Sequence, residues 1–426
     1  MNSSLQQKHS WSTIIFCTSR LFERAAYYGI RAILVLYLLE KLGGESQVEV
    51  LEIYARFTGA IVFLAVLGGL LGTFVLKNKT AVIIGGFLQV LGILLMWAVS
   101  ETSIYLPLSI IVVGCSLFEP NFMSLFGKSY LEKPRIIESG FTFLYLSVNL
   151  GALIGVFFVG IVAEKLTYEL GFTLAALFML IAIVIAFFFK EKESVKRRFE
   201  TEAEVLDSTI LDDQMVIPKS KNNRSIGVRI LILAVCIILV TMFWHCYEYF
   251  YTLKFNYKNL LGVLGEIDDR LFAQNLESIV LIVIGLGAGA VWTFVSYNKF
   301  IKLGLGILML SVMFVLLNFI PIEGSLTSWT IMFAIVIAIA EIHVAPVLDA
   351  AITENISRKF LPLAFSISKM NFRFLVIAWG YLSIPFESII YFEPLLISNL
   401  FMGILLVIGV GVLIFGLVRA KKRLIS

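Results

Sequence analysis

Charge is what this 426-residue chain has least of. Asp, Glu, Lys and Arg make up 15% of it, against about 25% in an average soluble domain. A deficit that deep excludes most water-soluble folds. Histidine is scarce, at 3 residues, and the 4 cysteines, Cys17, Cys115, Cys236 and Cys246, lie far apart in apolar stretches with no CxxC among them. Neither a disulfide framework nor a zinc site is expected, and no metal or cofactor enters the reading. There is no GxxxxGK(S/T), no HExxH and no strand-borne GxGxxG, which argues against ATP-driven pumping and hydrolytic chemistry. With no visible nucleophile, metal cluster or phosphate loop, the chain is not expected to be an enzyme or to bind nucleic acid.

Apolar residues are what it has in excess. They form 59% of the sequence, about 250 residues, with a mean hydropathy of +0.93. That fills roughly twelve spans of ~20 residues, the length that crosses a bilayer as helix. The expected fold class is an all-α membrane protein of twelve transmembrane helices in two groups of six. The first spans fall near 11–41, 50–76, 80–99, 104–127, 139–163 and 170–189, and the second near 227–253, 269–294, 300–320, 326–351, 361–385 and 394–418. The domain plan is therefore a 1–10 terminus, a six-helix bundle at 11–189, a polar linker at 190–226, a second bundle at 227–418 and a basic tail at 419–426. The linker is too polar to cross a membrane. No leader-like apolar run with a cleavage site precedes the first span.

Loop charges orient the bundle. With both termini cytoplasmic, that side collects Lys8, Lys77, Lys79, Lys128, Lys133, Arg135, Lys299, Lys302, Arg358 and Lys359, the linker cluster and the terminal Arg419, Lys421, Lys422 and Arg423. The other side keeps Lys41, Lys165, Lys254, Lys258 and Arg270. This is the asymmetry of the positive-inside rule, and a plasma membrane location is expected. Six spans, a basic linker and six more is the plan of a secondary transporter built from two related halves.

Charges inside the spans point to a cavity. An ionisable group at bilayer depth costs at least ~2.5–3.5 kcal/mol unless it meets a partner or water. Arg20, Arg24, Tyr27 and Arg31 share one stripe of the first span, with Glu23 beside it and Tyr28 adjacent. Three arginines on one helix face cannot look at lipid; they face either a polar cavity or salt-bridged neighbours. Glu119, Glu248, Glu277 and Glu341, scattered over other spans, are the candidate counter-charges. His245 and Glu248, i,i+3, are placed to share a proton, or His245 sits at an interface. His343, two residues from Glu341, points to another face. Lys369 reads as a side chain that snorkels to the cytoplasmic surface. Trp244 and the tyrosines around Glu248 line either a substrate pocket or an aromatic belt.

Five segments then resemble the signatures of the proton-dependent oligopeptide transporters, a family of the major facilitator superfamily. Glu23-Arg24-Ala25-Ala26-Tyr27-Tyr28-Gly29-Ile30-Arg31 is similar to ExxERFxYYGxR; Pro120-Asn121 to KPN; Tyr145 through Asn149 and Gly151 to FYxxINxG. Phe243-Trp244 with Glu248 resembles FWxxxD/E, and Ala340-Glu341 with Pro346 resembles GExxxSP. They occur in the family's order, across both halves.

The departures matter as much. Arg20 stands where the family has a glutamate, and Glu119 where it has the lysine of KPN. The two charges look exchanged, so a reversed Arg20–Glu119 pair is expected. The segment after Gly72-Thr73 runs Lys77-Asn78-Lys79 and lacks the family's aspartate.

What the resemblance implies is proton-coupled uptake, by alternating access, of short peptides or a related small amino-containing solute. Glu23, Arg24, Glu119 and Glu248 would carry proton coupling. Arg31 and Glu248 would form the outer gate. Arg20, Tyr27, Tyr28, Arg31, Tyr145, Asn149 and Trp244 would line the substrate site. Glu341 would hold the amino group, with Glu277 as a second carboxylate, and the substrate carboxylate would use Arg20, Arg24 or Arg31. The implied partners are a peptide-like solute, protons and the lipid bilayer. The alternatives are a non-transporting accessory or scaffold subunit, which would bind a protein partner, and an uncoupled facilitator.

Overall fold

Twelve helices run through the described residues of the computed structural model, which are 7–41, 47–98, 103–189, 226–256, 267–295, 297–319, 327–370 and 394–425. In chain order they are α1 (Trp11–Lys41), α2 (Gln47–Phe74), α3 (Asn78–Leu95), α4 (Tyr105–Tyr130), α5 (Ile137–Lys165) and α6 (Tyr168–Ala186). Then follow α7 (Ile226–Asn256), α8 (Ile267–Phe294), α9 (Lys299–Leu317) and α10 (Thr327–Asn355). The described part of α11 is 361–370, and α12 is Pro394–Ile425. The polar linker expected at 190–226 and the end of the eleventh span lie almost wholly outside the described residues.

Ten of these helices carry an apolar stretch long enough to cross a bilayer; α1 is not among them. The reason is its own charge, which only neighbouring helices can shelter. α1 packs against α5 and α6, while α4 lies against α2 and α3. Close approach decides both contacts. A Cβ at Gly155 would fall 2.1 Å from the Ala25 carbonyl oxygen, so α5 must present hydrogen there for α1 to pass. In α4, Pro120 has no amide proton to give the Ser116 carbonyl. α2 covers that freed carbonyl with Gly68, where a Cβ would lie 1.8 Å from it.

The apolar interior follows the two groups of helices. Phe118, Phe122 and Phe126 of α4 stack with Phe16 and Phe189 in one core. Phe243 and Phe250 of α7, Phe314 of α9 and Phe333 of α10 fill a second. A third, smaller core joins them: Leu146 of α5 meets Leu281 and Trp292 of α8 and Ala338 and Ile342 of α10. Large apolar side chains such as Phe157, Phe158, Leu400 and Val407 stay on the outside. For a helix bundle in lipid that is the expected surface, since the solvent there is itself apolar. The protein is an integral membrane protein.

Candidate functional site

The arginine stripe of α1 is buried as its composition demands: Arg20 is 3% exposed, Glu23 1% and Arg24 6%. Glu23 carries both arginines. Arg24 donates through Nε and Nη2 at 2.7 and 2.6 Å, and Arg20 Nη1 donates at 3.0 Å. The second guanidinium nitrogen of Arg20 reaches across to Glu119 of α4 at 2.7 Å, with Arg24 Nη2 3.6 Å from the other oxygen of Glu119. The pair expected from the exchanged charges is thus made. Arg20 also lies over the Phe122 ring and Arg24 over Tyr27, at 5.4 and 4.7 Å.

Lys369 departs from expectation. Read as a surface-seeking side chain, it instead ion-pairs with Glu119 Oε1, carrying α11 of the second group onto α4 of the first. The physical reason is local: Glu119 is the carboxylate it meets within the bundle, and its Nζ need not reach the aqueous surface to be paired. Three cations and two carboxylates make one cluster across three helices, α1, α4 and α11.

Arg31 stands apart from that cluster. Its Nε donates to Tyr54 Oη at 2.8 Å, and its guanidinium is ringed by Tyr27, Tyr28 and Tyr54 at 5.6 to 5.8 Å. The outer-gate contact expected between Arg31 and Glu248 is not made; Arg31 turns to α2, while Glu248 is exposed on α7. Tyr54 escaped the sequence reading because a lone tyrosine on an apolar helix carries no signature.

Across the bundle, Tyr145 of α5 donates its hydroxyl to Glu341 Oε1 of α10. Glu341 is 9% exposed. Tyr247 of α7 hydrogen-bonds the same carboxylate, and Glu277 of α8 lies within electrostatic reach of it. Asn149 caps the Tyr145 carbonyl from one turn on, at 3.1 Å. Trp244 packs edge-on to Phe243 and Tyr247, at 5.5 and 5.1 Å. His245 hydrogen-bonds its own helix at Thr241 O, 3.1 Å away. The His343 ring lies 5.2 Å from Trp292 of α8, and its Nδ1 is 2.7 Å from Ile339 O of its own helix.

At the end of the bundle where α8 finishes and α9 begins, α5 is sealed to α8 and α9 by polar groups. Glu138 and Lys302 pair at 2.6 Å, and the Lys302 ammonium sits 3.8 Å above Trp292. Lys302, expected among solvated loop cations, is 2% exposed. Burial there is tolerable because a carboxylate and an aromatic face replace its water. Ser139 Oγ donates to Gly289 O at 2.7 Å. His9 enters the same seam ahead of α1. Its Nδ1 is 2.7 Å from Tyr130 Oη, and its Nε2 is 3.2 Å from Ser139 Oγ and 3.0 Å from Thr293 Oγ1. Burial first and Lys133 second hold the His9 ring below its ordinary pKa. None of these seam residues was singled out as functional beforehand, because their partners come from distant parts of the chain.

The Pro120-Asn121 motif has a structural task. Asn121, fully buried, donates to Gly68 O at 3.1 Å and Leu117 O at 2.8 Å and accepts from Asn78 at 2.7 Å. Asn78 also receives Lys128, so the segment lacking an aspartate is tied to α4 all the same.

Residues 79–205 match the POT family profile (PTR2). The dipeptide and tripeptide permease B of Photorhabdus luminescens is 30% identical over 186 residues, 43% of this chain and 38% of that protein. An uncharacterized transporter of Bacillus subtilis (strain 168), YclF, is 33% identical over 176 residues, 39% of this chain and 35% of its own length. The matched stretch thus spans little more than a third of these relatives. Folds compare over nearly the full length. A crystal structure of the peptide transporter POT in complex with sulfate superposes with a TM-score of 0.56 at 21% identity, covering 96% of this chain and 95% of that one. A POT family transporter in complex with a thioalcohol-conjugated peptide gives 0.58 at 17% identity, covering 97% of both chains. The twelve helices have the major facilitator fold.

Proposed function

We propose that this chain is a divergent member of the POT family, whose profile matches residues 79–205, and that it is a secondary transporter that takes up short peptides or a related small amino-containing solute by alternating access, driven by protons. Both termini and the His9 seam would face the cytoplasm, in the plasma membrane, with helices α1–α6 and α7–α12 as the two moving halves. The solved neighbours bound to sulfate and to a conjugated peptide support a peptide-like solute.

The observation that carries the reading is that unlike charges stand on helices of the two halves, Arg31 on α1 and Glu341 on α10. Glu341, with Glu277 near, presents negative charge from the second half. It would receive the ammonium of a solute in exchange for the Tyr145 hydroxyl. Arg20 and Arg24 are committed to Glu23 and Glu119. Arg31 has tyrosines for company, and it is the guanidinium we assign to the solute carboxylate. A bidentate Arg–carboxylate contact fixes orientation as well as charge. Tyr27, Tyr28 and Trp244 would provide the aromatic walls between the two ends, and Asn149 would steady Tyr145.

Coupling would run through Glu119. Its ion pair with Lys369 bridges the halves, so a proton on Glu119 would release Lys369 and loosen the inner contacts. Glu23 and Arg24 hold the α1 side of the cluster in register. Glu248, exposed on α7, would serve as an entry point for protons and as part of the outer gate when that side closes.

Uptake by proteoliposomes tests the reading. Under an imposed inward proton gradient, a di- and tripeptide mixture should accumulate, and an uncoupler should abolish the accumulation. Uptake indifferent to the uncoupler would mean a facilitator. No uptake of any peptide by correctly folded and oriented protein would favour an accessory subunit. Glu341→Gln should raise the KM for dialanine by roughly tenfold or more, the worth of one charged hydrogen bond, while a solute lacking the amino group should be indifferent to it.

A further inference from the structure

The five-residue cluster does not balance within itself. Arg20, Arg24 and Lys369 bring three positive charges to Glu23 and Glu119, which bring two negative ones. The imbalance has an address. Arg20, Arg24, Glu23 and Glu119 all belong to α1 and α4 and are neutral as a set. Lys369 is the odd charge, and it comes from α11.

As long as the halves stay together, Lys369 has Glu119. Alternating access needs them to part at this end, and an ammonium left alone at bilayer depth is costly. The second half supplies another carboxylate. Asp349 of α10 lies within electrostatic reach of Lys369 of α11, of Arg20 of α1 and of Glu119 of α4. It is half-buried, and Thr353 Oγ1 bonds its backbone oxygen at 2.9 Å. Among the described residues no hydrogen bond or ion pair engages its carboxylate. α10 and α11 are consecutive helices of one half, separated by residues 356–360, so Asp349 and Lys369 travel together.

We propose that Asp349 is the second seat of Lys369: a positioning residue that takes over the ammonium when the halves separate. The inference rests on the transport reading above. A proton from the outer side lands on a Glu119 carboxylate oxygen; Lys369 keeps its own protons and moves to Asp349, which stays ionised. The parted halves then expose Glu119 to the inner side, where the proton leaves. Arg20, Arg24, Glu23 and Glu119 are again neutral on one half, and Lys369 with Asp349 is neutral on the other. Without Asp349, the open state would carry an unpaired cation and be penalised.

The distance between the halves reads this directly. Spin labels at Val75→Cys and Tyr297→Cys, both exposed positions at this end, report it by double electron–electron resonance. Cys17→Ser removes the one native cysteine that is not buried. Asp349→Asn should shift the ratio of open to closed populations toward closed by about tenfold, an ordinary conformational coupling. Asp349→Glu should keep the parental distribution, and Glu119→Gln should shift it the opposite way. Gradient-driven uptake of radiolabelled dialanine should fall with Asp349→Asn and survive with Asp349→Glu. An Asp349→Asn distribution identical to the parent's, in folded protein, overturns the proposal. If the parent itself carries no dialanine, the transport reading fails, while the distance measurement still decides the role of Asp349.

Discussion

Glu119 is where the energetics of this protein concentrate. It accepts ion pairs from Arg20, Arg24 and Lys369 while only 15% of its side chain is exposed. Removing one member of a buried ion pair costs about 3–5 kcal/mol, because the partners keep their charge and lose its compensation. Glu119→Ala should therefore lower the unfolding temperature in detergent markedly. Replacing Arg20 and Glu119 together by Met should cost less than the sum of the two single changes, the signature of coupled neighbours. Additive losses would mean that the contact contributes little.

At this scale the sequence was informative about charge and silent about pairing. A stripe at offsets of 3, 4 and 7 declares that a helix face needs shelter, and the exchanged signs at Arg20 and Glu119 pointed to each other. Lys369 gave no such sign, since a lone lysine in a span reads equally well as one that snorkels. Arg31 and Glu248 show the converse: residues matching a family's pair need not touch in one conformation. Asp349, Tyr54, Glu138 and Lys302 were legible only in space.

Elements in this bundle are set by what the helices omit as much as by what they bury. The spans themselves were readable because an apolar run of ~20 residues is a strong signal in lipid. Their neighbours were not, because crossing contacts depend on single small residues. Gly155 allows the Ala25 backbone to pass at a distance no side chain would survive. Gly155→Leu should displace α5 from α1 and cost more than the 1–3 kcal/mol typical of overpacking, since the obstacle is backbone. Gly160, on the same helix with open space beyond it, should accept Ala with little change in thermal stability. Equal effects at both positions would argue against this packing.

The His9 strap adds a pH dependence at the same scale. Its ring is held below the ordinary histidine value by burial and by Lys133. The folded state thus binds fewer protons at His9 than the unfolded chain does. Its contribution is present above the unfolded value of about 6.5 and is lost as pH falls through the lower folded value. Tyr130, Ser139 and Thr293 also face the ring. His9→Ala should destabilise the protein at pH 7.5 and much less at pH 5. A stability difference independent of pH would show that His9 stays neutral or charged throughout.

At the scale of the whole molecule, two apolar cores are joined by a third, and among the described residues the polar contacts between halves fall into two sets. One set seals the end marked by His9, Glu138 and Lys302. The other, made of Glu119 with Lys369 and Tyr145 with Glu341, lies where a solute and a proton would act. The architecture of twelve helices in two groups was legible from hydropathy, loop charge and motif order. Which polar groups bridge the halves was not, because such bridges join residues separated by up to 284 positions. Alternating access, as proposed, needs these bridges to break, and an ion pair such as Glu119–Lys369 can be released by protonation where apolar contact cannot.

Proton movement without an imposed gradient tests this account most directly. Proteoliposomes loaded with a pH-sensitive dye, at equal pH inside and out, should acidify internally when dialanine is added outside, and Glu119→Gln should abolish the acidification. Entry of dialanine, confirmed by mass spectrometry, with no change in internal pH would contradict proton coupling through this cluster.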